Sequence, residues 1–97
     1  NVSIHYSDDS EILVFAKHLE AEFAGGKPNT VIVVANLDPH AARETNIHLE
    51  LWKLGLDEQT PFKVKDLITG VEFSWGKSNF VRLDSFTEPV HILEVIR

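Results

Sequence analysis

Along most of this chain apolar and polar residues alternate with a period of two, the spacing of a strand with one wet face. In PFKVKDL, Phe62 and Val64 point one way and Lys63 and Lys65 the other, and VEFSW repeats the pattern with Val71, Phe73 and Trp75 opposite Glu72 and Ser74. Residues 66–70 between them end in a glycine that accepts positive φ, so the two segments are expected to form a hairpin, with Lys63 or Lys65 offset against Glu72. NIHLEL alternates likewise, placing Ile47, Leu49 and Leu51 inward. SNFVRL is a short strand that stops at Asp84 and Ser85, and NVSIHY is a strand leading into the domain.

Three segments are apolar on both faces: ILVFA at 12–16, TVIVVAN at 30–36 and HILEVI at 91–96. Such runs suit central strands covered from both sides, in a sandwich or beneath a neighbouring domain. Turn-forming residues punctuate the chain at 25–29, at Asp38-Pro39, at Gly55, at 76–78 and at Glu88-Pro89. Helix is confined to a turn or two at 51–56 and 19–23, because neither stretch is long enough to bury an amphipathic stripe. About seven to eight strands at intervals of about ten residues predict one all-β domain over residues 1–97, an antiparallel β-sandwich.

Composition agrees with a folded domain and narrows its partners. Ninety-seven residues suit a single core, and 43% hydrophobic with 25% charged residues lies far from the composition of a disordered chain. A net charge of -6 without any basic cluster argues against nucleic acid. No run approaches the ~20 apolar residues of a membrane span, so no membrane partner is expected. The absence of cysteine excludes a disulfide framework, a thiolate nucleophile and a cysteine-based zinc site, and points to the cytoplasm. There is no methionine either, and a chain that opens Asn1-Val2-Ser3 is expected to be a piece of a longer polypeptide.

The densest group of chemically capable residues is NLDPHAARE, with Asn36, Asp38 and His40 at its centre. Splitting a glycosidic bond takes two carboxyls ~5 to 9.5 Å apart, and this stretch offers no such pair by itself. Pro39 removes a backbone donor and biases Asp38 to extended geometry, so the expectation is a strand exit whose Asn36 and Asp38 cap nearby amides. The five histidines, His5, His18, His40, His48 and His91, show no metal-ligand spacing. His91, opening an apolar strand after Pro89-Val90, is a candidate for a hydrogen bond at a domain boundary or to backbone. The acidic run 8–11 is read as a solvated loop that lacks the spacing of a calcium loop. Trp52 and Trp75, with Tyr6 and Phe86, are candidate sugar-stacking aromatics. For both tryptophans core packing is the stronger expectation: Trp75 shares its face with Val71 and Phe73, and Trp52 sits in LWKLGL as a lid over the core. No nucleophile elbow, phosphate loop or paired-acid motif is present, so no catalytic, metal or cofactor residue is assigned.

The blocks HYSDDSEILVFAK, VIVVANLDPH, LELWKLGL, FKVKDLITG, FSWGKSNFVRLD and EPVHILEV follow one another in an order that resembles the carboxy-terminal domain of the maltosyltransferases that lengthen alpha-glucans from maltose 1-phosphate, members of the alpha-amylase superfamily. Phe73 and Phe80 depart from expected tyrosines, the loop from Trp75 to Asn79 is a residue short, and Ser85 replaces a proline. A related amylase-type or trehalose-forming parent is the alternative. The resemblance implies a Greek-key sandwich docked on an upstream (β/α) barrel that carries the catalytic carboxylates, a chiefly structural role, and a parent able to form a homodimer. In that picture Asn36, Asp38, His40 and His91 structure turns or the domain interface through parts of the first and last strands. The rival expectation is a carbohydrate-binding module touching alpha-glucan through Trp52 and Trp75.

Overall fold

The computed structural model describes residues 2–19, 29–84, 86–87 and 89–96. In chain order the strands are β1 (Val2–Ser7), β2 (Ile12–Leu19), β3 (Asn29–Asn36), β4 (Arg43–His48), β5 (Phe62–Asp66), β6 (Glu72–Trp75), β7 (Ser78–Leu83) and β8 (Val90–Ile96), with a 3-10 helix, Leu51–Leu54, between β4 and β5. All pairings are antiparallel, in the order β6-β5-β8-β3-β2-β1-β4-β7. β1 turns the sheet: its residues Val2 to His5 pair with β2, whereas Tyr6 and Ser7 pair with β4. The sheet thereby closes on itself as two layers, the all-β antiparallel sandwich that the period-two pattern predicts.

One core lies between the layers. Ile12, Val14 and Ala16 of β2, Ile32 and Val34 of β3 and Leu93 and Val95 of β8 meet Ile47 of β4 and Val81 and Leu83 of β7. The 3-10 helix stoppers one end, inserting Leu51 and Leu54, each 0% exposed. It ends at Gly55, where φ is +69 and an added Cβ would stand 3.3 Å from the His18 ring, so a side chain here would be both strained and tightly packed.

β8, β3 and β2 lie side by side in the middle of the sheet, as their two-faced apolar sequences require. Among the described residues, however, one face of each is fully buried and the other only partly. Ile12, Val14 and Ala16 are buried, while Leu13 between them is 37% exposed and Phe15 is half-buried. The β5–β6 hairpin forms as expected, with Lys65 opposite Glu72 in register. Trp75 is buried at 8%, but Val71 and Phe73 are 49% and 41% exposed. The reason is positional: β6 ends the sheet, and core covers only the part of its inner face nearest the turn. Trp52 departs further from expectation, since it is 66% exposed and the lid over the core is made by its neighbours Leu51 and Leu54. Leu19 closes β2, and most of the short helix and the turn expected at 19–23 and 25–29 lie outside the described residues.

Ile32→Ala, which empties a fully buried site in the central strand, should lower unfolding free energy by about 2–5 kcal/mol, whereas Ile4→Ala, on the exposed face, should change it by less than about 0.5 kcal/mol. Urea denaturation of the two variants checks this.

Candidate functional site

The turn after β3 is a hydrogen-bond hub. Asn36 donates its side-chain amide to the carbonyl oxygens of Ala41 and Leu83, both at 3.0 Å, and its Oδ1 accepts the Asp38 amide at 2.9 Å. Asp38 Oδ1 accepts the His40 amide at 2.9 Å, and Asp38 Oδ2 receives Arg43 Nε and Nη2 at 3.1 and 2.9 Å. The other arm of the guanidinium, Nη1, reaches Asp9 at 3.2 and 3.3 Å, while Asp9 Oδ1 also takes the Glu11 amide. One arginine thus clamps the β1–β2 turn to the β3–β4 turn. The His40 amide and then Arg43 hold the Asp38 carboxyl below its ordinary value, and the Glu11 amide does the same for Asp9, ahead of Arg43 and against desolvation. Both carboxylates are thus engaged by backbone amides and by the shared guanidinium. Arg43 and Asp9 lie far apart in sequence, and no motif joins them.

Buried polar groups are tied down in the same way. His5 accepts the Glu50 amide at Nδ1, 3.0 Å, which leaves the proton on Nε2 to face Ser3 Oγ at 2.8 Å. Burial lowers its pKa, with Glu50 opposing and Lys53 assisting, so the ring is held neutral. His18 Nδ1 meets Thr30 Oγ1 at 2.6 Å. Asp66, 2% exposed, closes the β5–β6 turn by accepting the amides of Ile68 and Thr69 at 2.8 and 3.2 Å, and its other oxygen meets His91 Nδ1 at 3.1 Å. Burial pushes this carboxyl up, but the two amides and His91 outweigh it and its pKa is lowered. The second ring nitrogen of His91 lies 3.4 Å from the Arg82 carbonyl oxygen.

Two clefts border His91. One, of about 140 Å³, opens between β6 and β7 and is lined by Phe73, Trp75, Phe80, Val81 and Leu93 among others; the second, of about 250 Å³, lies beside Asp66, Thr69, Thr87 and Pro89. Asp66 is the single carboxylate among the described residues lining them, and both its oxygens are engaged. A surface chain Asp8–His48–Ser78, with contacts of 2.9 Å on each side of the ring, has the residue types of a nucleophilic relay. Its ring faces serine through Nδ1 and aspartate through Nε2, the reverse of that relay. The side chains of His48 and Asp8 are also 39% and 60% exposed, and a solvated imidazole gains none of the low-dielectric stabilisation that such chemistry uses. No group of three or more histidines or acids among the described residues converges as a metal site. Of the candidate aromatics, Trp75 lies in the core, whereas Trp52 stands out on the 3-10 helix with Lys53 Nζ 5.4 Å from its ring centroid. Tyr6 and Phe86 are exposed at 62% and 79%.

This two-layer fold recurs in the crystal structure of alpha-galactosidase I from Mortierella vinacea, which aligns with 95% of this chain and 23% of that one at a TM-score of 0.65; at 12% identity the likeness concerns the fold alone. The family is settled by sequence. The profile described as GLGE, C-terminal, matches residues 4–95, and the chain belongs to that family. An alpha-1,4-glucan:maltose-1-phosphate maltosyltransferase from Bifidobacterium longum is 46% identical over 96 residues, and maltosyltransferase 2 of Streptomyces coelicolor is 35% identical over 97. The chain spans 13% and 14% of the length of these two relatives, so it corresponds to one domain of a much larger polypeptide.

Asn36→Ala removes the three hydrogen bonds that hold the β3–β4 turn and should lower stability by about 1–3 kcal/mol, whereas His40→Ala, which keeps the backbone amide, should stay within about 0.5 kcal/mol. Denaturant midpoints compare them. Because burial holds the folded pKa of His5 below the ordinary imidazole value of 6.5, the unfolded chain takes up the proton first as pH falls. Stability should therefore decline from about pH 6.5 downward, before the carboxylates titrate, and His5→Gln should flatten that part of the profile. Unfolding free energies at a series of pH values between 7.5 and 5 check this.

Proposed function

We propose that the chain is a non-catalytic, stabilising domain of an alpha-glucan maltosyltransferase, one that rests against the catalytic remainder of its polypeptide. The observation that carries this is what its polar groups are engaged in. Asp9, Asp38, Asp66, His5, His18 and His91 all hold turns or strands together, through backbone amides, a shared arginine or a neighbouring side chain. A retaining transfer between glucosyl units needs two carboxyls ~5 Å apart that are free to change protonation or to bond to carbon, and groups fixed in this way are not. Domain size supports the same reading, since 13% of a relative's length is matched here and the bulk of such an enzyme lies elsewhere. The parent is proposed to work in the cytoplasm.

One observation favours a second reading, contact with alpha-glucan at Trp52. This indole is 66% exposed on a 3-10 helix fixed by two buried leucines, and a lysine lies over it. A rigid exposed ring is a natural platform for the apolar face of a pyranose.

Two measurements test these readings. Given maltose 1-phosphate and an alpha-glucan acceptor, the 97-residue chain should release no phosphate, while the full-length polypeptide turns over; activity of the chain abolished by one substitution would reject the structural role. Titration with maltoheptaose, followed by tryptophan fluorescence, addresses the second. Saturable quenching that disappears in Trp52→Ala supports a glucan contact, and an unchanged spectrum eliminates it.

A further inference from the structure

Strand register sets an apolar group of side chains on the outward face of the broad layer. Ile4 of β1 stands opposite Phe15 of β2, Phe15 opposite Val33 of β3, and Val33 opposite Ile92 of β8. These four side chains form an apolar row across four adjacent strands, on the side turned away from the core. Val2 and Tyr6 flank Ile4 on the same face of β1 and are 69% and 62% exposed, with Ile4 itself at 58%. One step down the sheet the row reads Val2, Lys17, Val31, Glu94, Lys65 and Glu72, so the apolar patch passes into a ladder of alternating charge over β8, β5 and β6. The outward face of the narrow layer is different. Its register pairs are Glu44 with Arg82, Asn46 with Phe80 and His48 with Ser78, polar at every position but one.

We propose that this outward face of β1, β2, β3 and β8 is the surface on which the rest of the parent polypeptide docks. The proposal rests on the reading that the domain stabilises a larger enzyme, and adds to it which face makes the contact. An apolar centre bordered by charges of both signs is the anatomy of an interface between protein surfaces. A lipid surface fits poorly, because anionic headgroups select a basic rim and this chain carries a net charge of -6. A protein partner within the same polypeptide is at hand, since the relatives extend far beyond the 13% of their length that this chain matches. The two-faced apolar sequences of the central strands then have a single cause: the inner face closes the domain's own core, and the outer one meets its neighbour.

The chain has no cysteine, so one introduced thiol reports on one position. Ile4→Cys and Val2→Cys change side chains already largely in solvent, and Asn46→Cys places a control on the narrow layer. Maleimide labelling is followed by mass spectrometry of the labelled peptide, in the 97-residue chain and in the full-length polypeptide that carries it; circular dichroism confirms that each variant is folded. The expected result is that the thiols at positions 2 and 4 react about tenfold or more slowly in the full-length polypeptide than in the short chain, the protection given by a contact worth about 1.4 kcal/mol, while the thiol at 46 reacts equally in both. Equal reactivity at 2 and 4 with protection at 46 overturns the choice of face and leaves the stabilising role standing. Equal reactivity at all three sites overturns both. Protection at 2 and 4 that already appears in the short chain and rises with its concentration overturns the proposal in favour of a second copy of this chain.

Discussion

Everything in this domain depends on keeping water out of the layer between β2, β3 and β8 on one side and β4 and β7 on the other. Those strands supply the side chains with the least exposure, Ala16, Ile32, Val34, Ile47 and Leu83 among them. Burial at roughly 25 cal/mol per Å² of apolar surface is the main favourable term for so small a chain, which has no cysteine to add a disulfide. The layer has an end that must be closed, and the 3-10 helix closes it with Leu51 and Leu54. His5 and His18 lie at this edge of the core, where His5 accepts the Glu50 backbone amide and His18 meets the Thr30 hydroxyl.

The polar clusters answer a second constraint, the geometry of the turns. A sheet that bends within β1 brings the β1–β2 turn next to the β3–β4 turn, and both carry aspartates. Arg43 relieves their repulsion and joins them, which converts two loops into one rigid end. Asp66 does the equivalent at the β5–β6 turn by taking amides that the hairpin cannot pair internally. Clusters that look chemical in sequence are thereby occupied in structure, holding turns and strands together.

Asymmetry between the two layers connects this to the family. The narrow layer turns a polar surface to solvent, as an antiparallel sheet at a protein's edge ordinarily does, whereas the broad layer carries an apolar row on its outward face across β1, β2, β3 and β8. A free-standing domain of this size gains nothing from a row such as Ile4, Phe15, Val33 and Ile92 in water. The matched relative is several times the length of this chain, and the proposed contact would give such a row a neighbour to pack against.

How much was legible in the chain follows from the range of the interactions. Strands, hairpin and core were readable because periodicity is local: Val64 between two lysines, or Ile47 and Leu49 two apart, declare a face without reference to anything distant. The capping by Asn36 and Asp38 was readable for the same reason, since a side chain that bonds the amide two residues on needs no tertiary partner. Trp52 misled because its neighbours in LWKLGL are mostly apolar, and only the 3-10 geometry decides that residues 51 and 54 turn inward and 52 outward. The Arg43 clamp, the Asp66–His91 pair and the choice of which apolar face is covered join positions from 5 to more than 30 residues apart. The sequence by itself determined the strands and their inner faces; the tertiary structure decided the pairings between them, because strand order and the bend in β1 set those distances and no local pattern encodes either.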